Sequence, residues 1–314
     1  MNPATPSTLR IAVILPCYNE AGAIGRVVDG FKDALPQAQV HVFDNNSTDG
    51  TADVAAAHGA TVHHVSLRGK GNVVRRMFAD VEADVYVMTD GDATYDLSNI
   101  QAMVDGVARG ANDMVVGVRT DDGDARAYRA GHRLGNRMLT GSVAWLFGGD
   151  FTDMLSGHRA FSRRYVKSFP AAAAGFETET ELTIHALALR MACAEVPVAY
   201  GARPEGTASK LSTYRDGWRI LRTIAWLFTS ERPLAFFVLL AGLLALLSVG
   251  LAVPVVLTYL QTGLVPRLPT AVLSTGLMLS ALLSLVCGAV LHHVATGRQE
   301  AKRLAYLAIP ATRG

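Results

Sequence analysis

Through the first 120 residues, short apolar runs alternate with amphipathic stretches. Runs at 11–15, 40–43, 61–65, 85–89 and 114–118 are rich in β-branched residues and predict buried strands. Between them, apolar positions at helical spacing predict helices over about 21–35, 51–58, 71–82 and 97–109. Alternating β and α elements predict an α/β domain with a mainly parallel sheet covered on both faces. Such a sheet binds ligands beyond the carboxyl ends of its strands.

Further along, 128–146 is helical and Arg-rich, and 175–190 reads as a loop entering a helix. In 214–228, Ile220, Ile224, Leu227 and Phe228 share one side, while Arg215, Arg219 and Arg222 line another. With Trp218 and Trp226, this predicts an amphipathic helix lying in a membrane interface; the alternative is an ordinary surface helix. Two charge-free segments follow, 234–260 and 270–294. At about 1.5 Å per residue, each is long enough to cross a hydrocarbon core of roughly 30 Å. Pro254 is a candidate kink in the first. Arg232 precedes the pair, Arg298, Lys302 and Arg303 follow it, and the intervening loop holds only Arg267. The positive-inside rule then places both termini in the cytoplasm. The expected division is a catalytic domain at 1–212, an interfacial helix at 213–232, two transmembrane helices within 233–296 and a cytoplasmic tail at 297–314.

Composition supports a membrane protein. Half of the residues are hydrophobic, and the mean hydropathy is positive. Residues 1–212 carry 20 Lys+Arg against 24 Asp+Glu, a net −4; residues 213–314 carry 9 against 3, a net +6. Basic charge concentrated in the greasy part suits anionic lipid headgroups, and no nucleic-acid partner is expected. Cys17, Cys193 and Cys287 are scattered, which predicts neither a zinc site nor a disulfide framework and fits a reducing compartment. No signal peptide is expected, because 1–10 is polar and 11–15 is too short for an h-region.

Three polar clusters sit just past predicted strands: Pro16-Cys17-Tyr18-Asn19-Glu20, residues 44–51, and Asp90-Gly91-Asp92. In a parallel sheet all three converge on one crevice. Asp49 is placed to cap the helix at 51–58. Asp90 and Asp92 can reach one hard cation, Mg2+ or Mn2+, that leaves positions open for phosphate oxygens. Neither a GxGxxG after a strand nor a GxxxxGK[ST] is present, which argues against dinucleotide oxidoreductases and P-loop NTPases. Gly69-Lys70-Gly71, at a helix start, reads either as a phosphate holder or as a flexible loop with a solvated lysine. Arg126, Arg129, Arg133 and Arg137 repeat at helical spacing and read either as phosphate-holding arginines or as a solvated basic face. Glu177, Glu179 and Glu181 alternate, and the pattern does not say which of them is functional.

These stretches, with Lys70-Gly71-Asn72, Gly117-Val118-Arg119, 155–161, 176–179 and Ser209-Lys210-Leu211, resemble the family 2 glycosyltransferases of the GT-A fold. Within it the chain is similar to the polyisoprenyl-phosphate glycosyltransferases related to dolichol-phosphate mannose synthase. The resemblance implies a Rossmann-like GT-A domain followed by the interfacial helix and transmembrane hairpin. It implies a nucleotide-sugar pocket lined by Pro16, Tyr18, Asn19, Glu20, Asp44, Lys70 and Asp90, with metal on Asp90 and Asp92. It assigns catalytic roles to Asp92, Arg119, Arg133 and Arg203. Arg119, Arg133, Arg159, Arg203 and Lys210 would meet the acceptor phosphate. Two positions depart from the family's habit: His158 where an aromatic residue is frequent, and Asn45 where a second Asp is frequent.

The expected reaction is inverting transfer of a sugar from a UDP-glucose-like or GDP-mannose-like donor to a polyprenyl phosphate. The acceptor is already anionic, so screening and positioning matter more than a general base. The arginine-rich, alanine-rich composition suggests a GC-rich bacterial source, hence an undecaprenyl rather than a dolichyl carrier and a bacterial inner membrane. Membrane lipids are further partners, and the resemblance is compatible with a homo-oligomer. Two alternatives stay open: a glycan or other non-lipid acceptor, and a non-catalytic membrane scaffold.

Overall fold

The computed structural model of the chain describes residues 9–120, 132–175, 177–201 and 213–311. It comprises two compact units, Met1–Ile224 with Lys302–Gly314, and Ala225–Ala301. The first is built on a sheet of β1 (Ile11–Cys17), β2 (Gln39–Asp44), β3 (Thr61–His64), β4 (Val85–Met88), β5 (Met114–Thr120), β6 (Arg159–Ser162) and β7 (Cys193–Ala199). Their spatial order is β3-β2-β1-β4-β6-β5-β7. Every pairing is parallel except that β6 runs antiparallel to both β4 and β5.

Side chains alternate across this sheet with a period of two, and each face has its own core. Ile11, Val13, Leu15 and Cys17 of β1, with Val85 and Val87 of β4, face one side. There they meet Ile24, Val28 and Phe31 of α1 (Ala21–Ala34) and Met103, Val104 and Val107 of α4 (Ile100–Ala108). Ala12, Ile14, Tyr86 and Met88 face the other side. They pack on α3 (Lys70–Asp80), α6 (Arg163–Ser168) and α7 (Thr178–Leu189) through Val73, Val74, Met77, Phe78, Tyr165 and Leu182. Fully burying each large apolar side chain contributes about 1.5–3 kcal/mol. Two-sided burial explains why these strands read as unbroken apolar runs.

The five predicted strands and their connecting helices are present within a few residues of the expected bounds; α2 spans Thr51–Ala57 and α5 spans His132–Phe147. The sequence pattern did not predict β6, α6 or β7. β6 is four residues long and begins with an arginine, and β7 contains Glu195 and Pro197. Pro197 is tolerated because β7 is an edge strand.

α8 spans Thr213–Glu231. Ile220, Ile224 and Leu227, from the apolar side of the expected interfacial helix, are buried, and Trp218, Leu221, Trp226 and Arg222 are exposed. In the second unit, α9 (Pro233–Thr262) and α10 (Leu268–Leu307) are long and apolar enough to cross a membrane. Only 11% and 17% of their most hydropathic windows are buried in the protein, which is unlike the core helices of a soluble domain. Small residues recur every seven positions along each: Ala241 and Ser248, then Ser274, Ala281, Gly288 and Ala295 are buried. Ser248 Oγ donates to Ser274 O at 2.7 Å, and a Cβ on Gly288 would lie 2.7 Å from Phe237 Cβ. The two helices therefore pair through a small-residue seam. α10 continues well past the expected end of the second span at 294, and its last two turns, from Lys302, belong to the first unit.

Candidate active site

The three polar clusters lie at the carboxyl ends of β1, β2 and β4, on one edge of the sheet. Backbone and side chains stitch them together. Asn19 N donates to Ser47 Oγ at 2.9 Å, and Thr48 N donates to Asn19 Oδ1 at 2.8 Å. Glu20 N donates to Thr51 Oγ1 at 2.8 Å. Asp49 accepts from Thr51 N at 3.1 Å and from Ala21 N at 3.0 Å, so it ties the starts of α1 and α2 together, although the N-cap of α2 is Gly50 rather than Asp49. Gly91 completes the junction, since a Cβ there would sit 2.4 Å from Cys17 Sγ.

Asp44 is buried at the end of β2. Its Oδ2 faces Ser47 N at 3.3 Å and His64 Nδ1 at 3.6 Å. Among the described residues, its buried Oδ1 has no hydrogen-bond partner. Asn45 is spent locally: its amide donates to Val65 O and Leu67 O, and its Oδ1 accepts from Gly69 N. A carboxylate could not make the two donations, so this departure from the family's habit organises the loop that delivers Lys70. Tyr18 lies under the Arg68 guanidinium, 5.8 Å from ring centroid to cation. Pro16 pairs with Phe43 in the β1–β2 register.

Lys70 is not a solvated loop lysine. Its ammonium lies 2.5 Å from Asp90 Oδ1 and 2.5 Å from Glu179 Oε1, with about a tenth of the side chain exposed. Burial alone would lower its pKa, but the two carboxylates outweigh burial and raise it. Burial raises the pKa of Glu179, with Lys70 opposing. Glu179 is thus the glutamate of the alternating triplet that reaches the Asp90 side. Glu181 instead accepts from Ala172 N and Ala173 N, and Glu177 accepts from Gly175 N, so both pin the loop before α7. Asp92 is buried and oriented by Thr94, whose Oγ1 donates to Asp92 Oδ1 at 2.7 Å.

Arg119, at the end of β5, forms a two-pronged pair with Asp153: Nε and Nη2 lie 2.7 Å from its two oxygens. Asn136 Nδ2 adds a bond to Asp153 at 2.9 Å. Burial would raise the Asp153 pKa, but Arg119 holds it below the ordinary carboxylate range. The Arg119 guanidinium stands 5.5 Å from the Tyr200 ring, and Tyr200 meets Tyr95 at 5.1 Å. Burial pushes both phenols up, and both also feel Asp90 and Arg119.

Tyr95 also stacks on His158 at 5.1 Å. His158 is fully buried and hydrogen-bonds through Nδ1 to Thr89 Oγ1. Burial pushes its pKa down to about 4, so it is neutral near pH 7. It keeps an aromatic face where the family prefers one. Tyr95, Asp153 and Tyr200 were not singled out by sequence reasoning, since an isolated tyrosine or aspartate carries no local signal.

Arg159 corrects the expectation that it meets the acceptor phosphate. It is fully buried in β6, and its guanidinium donates to Ser156 O, Met154 O and Thr183 Oγ1. With its donors taken inside the protein, it braces the β6–α7 layer. Arg137 is exposed on α5. Arg133 lies on α5, but its side chain falls outside the described residues, as do Arg126, Arg129, Arg203 and the Ser209-Lys210-Leu211 segment.

The arrangement is a strand-edge site with paired carboxylates, a buried ammonium and an oriented guanidinium. Comparisons with known proteins bear on the family and the fold. Glycosyltransferase AglJ of Haloferax volcanii is 34% identical over 74% of this chain and 76% of its own length. The undecaprenyl-phosphate mannosyltransferase of Micrococcus luteus is 25% identical over 69% of this chain and 94% of its own. Among solved structures, glucosyl-3-phosphoglycerate synthase from Mycobacterium tuberculosis, in complex with Mn2+, UDP-glucose and phosphoglyceric acid, superposes with a TM-score of 0.57. It is 25% identical and covers 71% of this chain and 80% of that one. The profile of Glycosyl transferase family 2 matches residues 12–168, and the chain belongs to that family.

Proposed function

We propose that this glycosyltransferase moves a hexose from a nucleoside-diphosphate sugar to a polyprenyl phosphate, with inversion at the anomeric carbon, on the cytoplasmic face of a membrane. The observation that carries the donor side is Lys70, held between Asp90 and Glu179. A buried ammonium among acids at a strand edge suits a diphosphate, which exchanges with the carboxylates as its partner. Asp44, with an unpartnered buried oxygen, suits the hydroxyl or N–H donors of a nucleoside.

Asp90 and Asp92 flank one turn, and among the described residues no group of three or more His, Cys, Asp or Glu could hold a metal ion. Two carboxylates fit Mg2+ or Mn2+, which take their remaining ligands from water and phosphate. Such an ion supplies charge neutralisation for the leaving diphosphate. The protein's own residues do the rest. Lys70 screens the donor, Glu179 steers Lys70 and can accept from a sugar hydroxyl, and Arg119 is aimed by Asp153.

The acceptor assignment rests on Arg119 and on the two apolar helices, which suit a substrate presented at a bilayer. The relatives support it, because one is named for an undecaprenyl-phosphate acceptor. Trp218, Leu221, Trp226 and Arg222 are the exposed face of α8 for an interfacial contact. Arg133, Arg203 and Lys210 remain proposed acceptor contacts. A panel of UDP- and GDP-sugars, incubated with the full chain in membranes and polyprenyl phosphate, tests the reading. A lipid product one hexose heavier by mass is expected with one donor. Hydrolysis of donor without any glycosylated lipid would contradict it.

A further inference from the structure

At the sheet edge opposite the polar clusters, the starts of β5 and β7 and the end of β6 border a cavity of about 340 Å3. Asp113, Arg163, Arg164 and Arg190 line it, with Arg303 and Tyr306 from the last two turns of α10. Four arginines face one carboxylate, so the lining carries a net charge of +3.

Most of these groups already have work. Asp113 accepts from Ser162 Oγ at 2.8 Å and from Tyr306 OH at 2.9 Å. Arg163 pairs with Glu82 at 3.0 Å. Arg164 lies 5.3 Å from the Tyr306 ring and donates to Ile309 O at 2.8 Å. These contacts seat the C-terminal segment against the sheet edge. Arg190 and Arg303 are different. Both are exposed, and among the described residues neither guanidinium makes a hydrogen bond or an ion pair. Arg190 ends α7 in the left-handed region, at φ 56°, where glycine or asparagine would be less strained. That backbone closes α7, with Met191 N donating to Ala186 O at 3.0 Å, and it leaves the Arg190 side chain lining the basic cavity.

The geometry points to a second anion site here, taking a phosphate monoester or diester between Arg190 and Arg303. Guanidinium forks match phosphate oxygens in pairs, and two from different segments would hold one phosphate as a bridge. A bound phosphate thus locks the 302–311 segment onto the catalytic unit. The site is chemically distinct from the donor edge, because no carboxylate pair for a metal lines it. Two sources carry this chemistry. One is an anionic lipid headgroup, since Arg303 follows the second apolar run by nine residues in sequence. The other is a free phosphorylated metabolite.

The test uses the full chain with saturating UDP and GDP, so that donor-edge phosphate binding is already filled. Titration with sn-glycerol 3-phosphate by calorimetry probes the free source. Thermal midpoints in phosphatidylcholine nanodiscs, with and without phosphatidylglycerol, probe the lipid source. The variants are Arg190→Gly, which also relieves the backbone, and Arg303→Gln. One probe should bind the wild type, and each variant should weaken that binding at least tenfold or erase the midpoint shift. Calorimetric binding identifies a free metabolite, and a nanodisc shift identifies a headgroup. No response of the wild type to either probe would overturn the site. So would a response unchanged in both variants, with Arg190→Gly folded as judged by its midpoint.

Discussion

Gly157 lies so close to Asp90 that a Cβ on it would sit 2.6 Å from Asp90 Oδ2 and 3.1 Å from Lys70 Nζ. Asp90 cannot step aside freely, because Lys70 holds its other oxygen at 2.5 Å. The glycine therefore sets where this carboxylate stands. Gly157→Ala should lower the transfer rate at least about tenfold, since displacements below 1 Å at a reacting centre are costly. Its thermal midpoint should stay within a few degrees of wild type. A variant with an unchanged rate across a Mn2+ titration would show that Asp90 placement is not critical.

Asp92→Asn should keep the fold and nearly abolish transfer, because a neutral amide is a poor ligand for a hard cation. The side chain stays oriented, as an amide oxygen can still accept from Thr94. Turnover at limiting Mg2+ or Mn2+ is the measurement. Wild-type turnover there would remove Asp92 from the metal site.

Much of this site is legible in the sequence. Strands buried on both faces appear as apolar runs, and the residues just past them must share an edge, so Asp44, Asp90 and Asp92 could be grouped by position alone. What remained hidden depends on contacts distant in sequence. The alternating Glu177, Glu179 and Glu181 look equivalent until the loop at 171–175 claims the outer two. Arg159 looks like a phosphate ligand until its carbonyl partners are seen. The stripe of Ile220, Ile224 and Leu227 is equally suited to lipid or to protein, and periodicity cannot distinguish the two.

Stability should fall in mild acid, with an identifiable contribution from His158. Burial holds its folded-state pKa at about 4, whereas an ordinary histidine titrates near 6.5. Between those values the unfolded chain binds the extra proton, so stability drops as pH falls from about 6.5 and levels off below about 4. The contribution is about 2 kcal/mol by pH 5. His185, pushed down to about 3 by burial, acts in the same direction. His158→Phe keeps a ring against Tyr95 and should show a flatter fall in unfolding midpoint between pH 7 and 5. Parallel curves for the two proteins would refute this contribution.

Both termini and the catalytic unit are expected in the cytoplasm, with the end of α9, the loop at 263–267 and the start of α10 on the far side. A membrane-impermeant thiol reagent applied to intact cells should label a cysteine placed at Gln261 or Leu264. It should spare one placed at Ala308. Labelling at Ala308 would reverse or break the hairpin.

Replacing the buried ammonium tests the donor site. Lys70→Met leaves Asp90 and Glu179 facing each other without screening. Breaking such a buried group costs about 3–5 kcal/mol, so a lower unfolding midpoint is expected. Lys70→Met with Glu179→Gln leaves Asp90 as the one remaining charge of the three, removes the repulsion between carboxylates and should recover much of that loss. Nucleotide-sugar affinity should stay at least about tenfold weaker in both variants. Donor affinity restored together with stability would assign Lys70 to folding alone.

Transfer to the phosphate of a polyprenyl lipid is tested most directly by nucleoside diphosphate release with three acceptors. The full chain in detergent, with Mg2+ or Mn2+ and its donor, receives polyprenyl phosphate, the same polyprenol without phosphate, or 3-phosphoglycerate. Release should occur with polyprenyl phosphate alone, matched mole for mole by glycosylated lipid phosphate. Release with 3-phosphoglycerate and none with the lipid phosphate would contradict the account.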